Sequence, residues 1–495
     1  MAKGLSFGAE FFSKTATSAS AQEIEPEAPL RILVLANFSG AAGASSPTAK
    51  PIAIDRDNFD EIFARLAPHL SLADLAANGA AVELDFDELD QLHPDRLSSL
   101  IDDFPLAAPP RILPLPLGEG RGEGSQRASI PGAANASPPI SDRDLLSNLL
   151  DDPSSGGSLT AAGLTPTKSE FDEALADISR RHRLDSESPA QLRAAEAALT
   201  DEAARLRLVL HHPDFQRLEA TWRALDWLVH GADDDRVKIS IVDWSKDELA
   251  ADLEAAANLR ETRLFQLLCD QPSGAPTWSL VIGDYSFAAT QPDVEMLGRI
   301  AQIAARANSP FIAAAEISVF GCPSAASLAD PDDWSAPESA TAAMWRQLRC
   351  LPAASSLGLV APRFLVRLPY GADTSPTERL KFEELPTVHH AGYLWGNSAY
   401  LVAALVARTF AETGWRMQGR LYRDVEDLPL HTYQVADESL IQPSAESALL
   451  DRAVDQILDF GIMPIQAFSD RGAARLVRLQ SLAEPTAPLS ARWNE

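Results

Sequence analysis

The apolar positions fall into runs whose period changes along the chain, and those changes outline the elements. Arg31 to Asn37 (RILVLAN) is a continuous apolar run ending in Phe38-Ser39-Gly40, which predicts a strand buried on both faces and then a turn. Ile52 to Asp55 predicts a short second strand. Asp57 is placed to cap a helix whose apolar face is Phe59, Ile62, Phe63 and Leu66, with Pro68 closing it. Val82, Leu84 and Phe86 alternate with Glu83 and Asp85, a strand with one wet face. Helical spacing then covers Phe171 to Arg180 and resumes at Leu192. It culminates in Leu210 to Val229, where Pro213 opens a helix, Asp214 sits at its positive end, and Phe215, Leu218, Trp222, Leu225 and Val229 form an aromatic stripe.

Beyond that helix the pattern alternates between strand and helix. Val237 to Asp243 predicts a strand, and Ser245 with Glu248 a capping box opening the next helix. Trp278 to Ile282 predicts a buried strand, with Gly283 to Phe287 turning the chain. Pro292 then begins a helix carrying Asp293 and Glu295 in its first turn, ending at Asn308. Phe311 to Ala315 is a further buried strand. Strand, helix and strand at this spacing make a βαβ unit, expected to be parallel and right-handed. His389-His390 stand before a helix expected to start at Tyr393.

The expected fold is α/β (α+β), in five stretches: a flexible arm at 1–28, a small α/β unit at 29–104, a linker at 105–168, a mixed sheet flanked by helices at 169–435, and a C-terminal region at 436–495. The linker follows from composition. Of the 36 residues from Pro105 to Ile140, 13 are Pro or Gly, too many for a packed core. Within it lies one apolar island at 144–150, DLLSNLL. Leu145, Leu146, Leu149 and Leu150 there suit either a helical turn docked on the parent domain or a short motif for a partner's groove.

Composition narrows the partners. The 495 residues are 46% hydrophobic, enough for more than one core, and carry 70 acidic against 42 basic side chains, a formal charge of −28. That balance argues against a nucleic-acid binder or an anionic membrane surface. Cys269, Cys322 and Cys350 have no paired spacing, so neither a disulfide framework nor a zinc site is expected. MAKGLSFGAEFFSK lacks the apolar core of a signal peptide, and the most apolar segment, Ala399 to Ala407, is too short to span a bilayer. The cytoplasm is the expected compartment, without direct membrane insertion.

Candidate chemistry is sparse. His211-His212 with Asp214 suggests a metal corner, but adjacent histidines before a helix-opening proline fit capping better, and HxxxH spacing is missing. His389-His390 read the same way. Asp284, after a buried strand, sits where α/β enzymes place carboxylates, yet no phosphate loop, GxSxG elbow or partnered nucleophile accompanies it. Arg363 and Arg367 suit buried ion pairs or an interface better than a substrate clamp. No catalytic, cofactor-binding or metal-ligating residue is expected.

Several of these stretches resemble the contractile-sheath proteins of the type VI secretion system. RILVLANFSG, IDRDNFDEIFARLAP and VELDFDELDQLHPDRL resemble, in order, segments of the small subunit (TssB/VipA), with Ala36-Asn37 where that family commonly has Gly-Asp. HHPDFQRLEATWRALDWLV, GDYSFAATQPDVEMLGRIAQIAARANSPFIAAA, Met344-Trp345-Arg346, LVAPRFLVRLPYG, Phe382-Glu383-Glu384, YLWGNSAYLVAALVARTFAETGW and DLPLHTY resemble the large subunit (TssC/VipB/ImpC), again in order. The resemblance marks Phe215, Leu218, Trp222, Asp284, Tyr285, Trp345, Arg346, Arg363, Arg367 and Trp395 as signature positions of core and assembly.

The resemblance implies a non-enzymatic protein that assembles with copies of itself or with other sheath subunits around an inner tube, on a baseplate. There it contracts to drive effector delivery. It also implies that the leucine island meets the disassembly ATPase (ClpV). The chain departs from the family at Pro352 to Ser356, where charged residues are usual, and it ends sooner after Phe460 to Ile465 than the family does. A shortened C-terminal region suggests, as an alternative, a terminal or regulatory paralogue that caps or nucleates a sheath. A different class remains as well, an α/β enzyme using Asp284.

Overall fold

A computed structural model describes residues 28–40, 50–73, 75, 81–101, 189–270, 277–336, 338–417, 419–435 and 438–494, of which 189–199 and 494 are described by backbone alone. The leucine island and the Phe171–Arg180 periodicity lie outside these residues. The described residues from 28 to 101 and from 198 onward belong to one compact unit.

Its frame is a nine-stranded sheet. In chain order its strands are β1 (Leu30–Ala36), β2 (Ile52–Ile54), β5 (Val237–Asp243), β6 (Leu280–Phe287), β7 (Phe311–Ala315), β8 (Leu357–Ala361), β11 (Asp424–Val425), β14 (Met463–Ala467) and β15 (Ala474–Leu476). They lie in the order β11-β15-β14-β8-β7-β6-β1-β5-β2, and the strands from β14 to β5 run parallel. Two-stranded ribbons complete the count: β3 (His69–Leu72) with β4 (Val82–Asp85), β9 (Phe364–Leu365) with β10 (Trp395–Gly396), and β12 (His431–Val435) with β13 (Glu438–Gln442).

The RILVLAN run is the third strand from one edge. β1 pairs with β5 from Leu30↔Val237 to Ala36↔Asp243 and with β6 from Ile32↔Leu280 to Leu35↔Gly283. Its unbroken apolar character follows from that position. Ile32 and Val34 enter one core, while Leu33 and Leu35 enter the other. Segments 29–104 and 169–435 therefore share one sheet, and the strand that starts the first completes the ladder of the second. The Asp243 carboxylate at the end of β5 seals the join, accepting the N–H groups of Phe38 and Ser39 at 2.7 and 3.0 Å.

Helices cover both faces. Phe59–Leu66, Pro213–Gly231 and Ala399–Thr413 pack on the face of Ile32 and Val34. Lys246–Ala255, Arg263–Cys269, Gln291–Ala307, Ser339–Arg349 and Asp451–Asp459 pack on the face of Leu33 and Leu35. The β6, Gln291–Ala307, β7 segment is parallel as its pattern predicts, and Asn308 ends that helix in the left-handed conformation at φ 52°. Ser245 and Glu248 form the predicted capping box.

Three local expectations are corrected. The first helix is preceded by Asn58, not capped by Asp57, because the Asp55 carboxylate takes the N–H groups of Asp57 and Asn58 and sets the turn itself. Gly283 to Phe287 is not a turn. β6 runs through it, with a register shift against β7 between Ile282 and Ser286 that lets the strand continue. No helix starts at Tyr393, because Trp395-Gly396 is spent pairing with Phe364-Leu365, so the helix waits until Ala399.

Candidate functional site

The stripe of the Pro213–Gly231 helix is what joins the N-terminal segment to the rest. Phe215, Leu218, Trp222, Leu225 and Val229 are all buried. Trp222 receives Phe38, Phe59 and Phe63 at ring-centroid distances of 5.2, 5.8 and 4.5 Å, and its indole N–H donates to the Phe38 carbonyl at 2.9 Å. Three aromatic rings from the first hundred residues thus close around one tryptophan. At the start of the helix, His212 Nδ1 accepts the N–H of Asp214 at 3.2 Å, a capping contact. His211 faces elsewhere, edge-on to His389 at 5.7 Å and 3.8 Å from Glu384.

Beside the stripe, the same helix buries a charge. Glu219 is sealed from solvent and accepts Arg367 Nε and Nη2 at 2.7 and 3.0 Å and Arg223 Nε at 2.7 Å. Arg367 turns its other donors to Glu384, at 2.7 and 3.0 Å, and lies over the Tyr370 ring at 4.1 Å. Tyr370 donates its N–H to Glu384 at 2.8 Å, and its hydroxyl accepts from Arg223 at 2.9 Å. Burial works against every charge here, but pairing wins. The Glu219 carboxyl is held below its usual range by Arg367 and Arg223, and the Arg367 guanidinium well above its own by Glu219 and Glu384. Tyr370 meets His93 of the N-terminal segment edge-on at 4.8 Å. Two residues further on, the Asp95 carboxylate accepts the N–H groups of Glu378 and Arg379 at 2.9–3.1 Å, and Arg379 reaches back to the Asp95 carbonyl and to Ser98.

A second pair lies at the other end of the Arg363–Arg367 stretch. Arg363 forks onto Glu446 at 2.9 and 2.6 Å, and His390 approaches the same carboxylate at 3.1 Å. Burial alone would raise the Glu446 pKa, but the hydrogen bonds from His390 and Arg363 bring it down to about 2. His390 stacks on Trp395, whose N–H donates to the His390 carbonyl at 3.0 Å. Neither the His389 nor the His390 side chain caps a helix, which corrects the sequence expectation; His390 contacts the Glu446 carboxylate instead.

Asp284 lies buried between β6 and the two helices that cover it. Burial raises its pKa, and Oδ2 accepts from the Thr221 hydroxyl at 2.7 Å and the Tyr400 hydroxyl at 3.3 Å, one from each covering helix. Asn397 donates to the carbonyls of Gly283 and Tyr285 on either side. Asp284 thereby pins both helices to β6. Tyr285 points to the opposite face, its hydroxyl donating to the Trp244 carbonyl at 2.6 Å. Trp345 is buried and donates to the Phe460 carbonyl at 3.2 Å, while its neighbour Arg346 is exposed.

Of the signature positions, Trp222, Asp284 and Arg367 stand in this joint, while Trp345 and Arg346 lie on the far face of the sheet. Glu219, Arg223, Glu446 and the Asp95–Arg379 latch were missed. Glu219 and Arg223, four apart on an apolar helix, were the visible signal; Glu446 had none, because Arg363 is 83 residues away and His390 is also distant in sequence.

This is an α/β protein whose two segments are held together by a shared sheet and buried ion pairs. Residues 198–483 match the family model described as EvpB/VC_A0108, tail sheath N-terminal domain, and the chain belongs to that family. Residues 14–105 match the model described as Type VI secretion system, VipA, VC_A0107 or Hcp2, so small-subunit and large-subunit sheath segments are fused in one chain. Among characterised relatives, the type VI secretion system sheath protein TssC1 of Pseudomonas aeruginosa is 36% identical over 307 residues, covering 59% of this chain and 60% of that protein. The chain thus spans about 60% of that relative's length. No described helix is long and apolar enough to cross a membrane.

Proposed function

We propose that the chain is a protomer of a type VI contractile sheath that carries both subunit-like segments. Copies would assemble with one another or with other sheath subunits around an inner tube, anchored on a baseplate, and repack to drive the tube outward. The observation that carries this is the position of β1. It belongs to the segment matching the small-subunit model, and it lies between β5 and β6 of the segment matching the tail-sheath model. Fusion then fixes the two segments at one to one in a single cooperative core. The groups that sequence reading offers for catalysis, Asp284, Arg363 and Arg367, are each engaged in packing contacts, which favours a mechanical role over a chemical one.

Electron microscopy of the purified chain, alone and mixed with separate sheath subunits and the tube protein, is the direct test. Rings or tubules are expected. A chain that stays monomeric in every mixture would overturn the reading. The disassembly ATPase enters as a further proposed partner through Leu145, Leu146, Leu149 and Leu150. Replacing the four with alanine should abolish its capture, and unchanged capture would remove it from the list.

A further inference from the structure

The charge of this chain is unevenly placed. Seventy acidic against 42 basic residues make like copies repel one another, so close association needs a surface where the sign reverses. Such a surface surrounds β11, the terminal strand of the nine-stranded sheet. Within residues 408–427 and 470–478 there are seven arginines and five carboxylates, the reverse of the overall balance.

Contacts tie Arg408, Arg423, Arg471 and Arg475 into one rim, with Arg478 next to Val477 and with Arg416 and Arg420 on the segment that joins Arg408 to Arg423. β11 pairs with β15 through Asp424↔Arg475 and Val425↔Ala474. Arg423 donates to the Val477 carbonyl at 3.4 Å, beside Arg478, and Arg408 lies over the Tyr422 ring at 4.3 Å. Three of the carboxylates are engaged inside the rim: Asp424 by Arg475, Glu426 by Arg471, and Glu412 by the Tyr422 hydroxyl. Arg408, Arg416, Arg420 and Arg478 are exposed with no ion-pair partner among the described residues, and Arg423, also exposed, shares Asp424 with Arg475. Four unpaired guanidiniums on an acidic chain make a surface suited to planar anions, carboxylates above all.

We propose that this arginine rim is the surface by which one copy of the chain grips an acidic face of a second copy. The occupant follows from charge complementarity: the acidic partner the rim requires is the surface this chain presents elsewhere. A contact between two different patches is heterologous, and such contacts propagate into rings or filaments instead of stopping at a dimer. The proposal rests on the sheath reading above and gives it a specific interface. The competing role for the same arginines is to guard an exposed sheet edge against stray strand pairing.

The test uses full-length protein and two variants with equal change in net charge. R416E/R420E/R478E reverses the rim at side chains with no described contact, and R65E/R260E/R306E reverses three exposed arginines elsewhere. Self-association is followed by sedimentation and negative-stain microscopy between 50 and 500 mM NaCl, with circular dichroism confirming the fold. Wild-type association should weaken steeply as salt rises, because screening at ~0.1 M acts over about 10 Å. The rim variant should associate roughly tenfold more weakly at low salt, and the control variant like wild type. Equal behaviour of rim variant and wild type while both assemble would overturn the rim and leave the sheath reading standing. Equal weakening of both variants would also overturn it, since net charge alone would then explain the effect. Increased, non-specific aggregation of the rim variant would establish the edge-guarding role instead. Wild type that associates neither with itself nor with sheath subunits would overturn both proposals.

Discussion

Arg367 is the residue on which the joint depends most. It holds two buried carboxylates, Glu219 and Glu384, and among the described residues neither has a comparable substitute partner: Glu219 retains Arg223, and Glu384 backbone and a distant His211. Arg367→Met is expected to cost about 3–5 kcal/mol in denaturant unfolding, chiefly by stranding Glu384. Adding Glu384→Gln removes the stranded charge and should recover part of the loss; a double variant no more stable than the single would contradict this account. Asp284 has the opposite sign. Its folded pKa is raised by burial, so the folded state prefers the protonated form and loses stability as pH rises through the unfolded value. Asp284→Asn should therefore melt at or above wild type at pH 7, the two converging as pH falls below about 4. A melting temperature well below wild type at pH 7 would show that the carboxylate charge itself is needed.

At the scale of elements, the Pro213–Gly231 helix does two jobs with one surface. Its aromatic stripe takes in the rings of the N-terminal segment, and Glu219 and Thr221 beside it fasten Arg367 and Asp284. Trp222→Ala would remove the ring on which Phe38, Phe59 and Phe63 converge, at a cost of about 3–5 kcal/mol. The loss should be local before it is global. Amide exchange is expected to rise first in Phe59–Leu66, which packs on that ring, and last in β7 and β8, two and three strands from β1 in the sheet. Uniform exchange across the sheet would mean that the helix is a nucleus of the whole fold instead of a clasp for one segment.

At the scale of the whole molecule, the covalent link between the segments is less important than the strand they share. β1 is hydrogen-bonded along both edges and buried on both faces, so leaving the sheet would break two ladders and open two cores. A protease site engineered into the Pro- and Gly-rich stretch between Pro105 and Ile140 should yield two fragments that still co-elute on native size exclusion and separate only in denaturant. Fragments that part without denaturant would show that the shared sheet is too weak to hold the protomer together.

Local periodicity determined much of this protein directly. RILVLAN as a strand buried on both faces, the capping box at Ser245, the Asn308 stop and the parallel βαβ unit are each decided by residues within a turn or two of one another, and each is found. The family resemblance was legible for the same reason, because it rests on contiguous motifs. Tertiary structure alone decided what those elements touch. That β1 lies between β5 and β6 depends on pairing across about two hundred residues, and a both-face apolar strand fits any central slot equally well. The charge node gathers residues from Glu219, Arg367 and Glu384, and Glu446 meets Arg363 across 83 positions. Burial is what turns those side chains from solvated charges into fixed pairs, and burial is a property of the packed sheet that no window of the sequence contains.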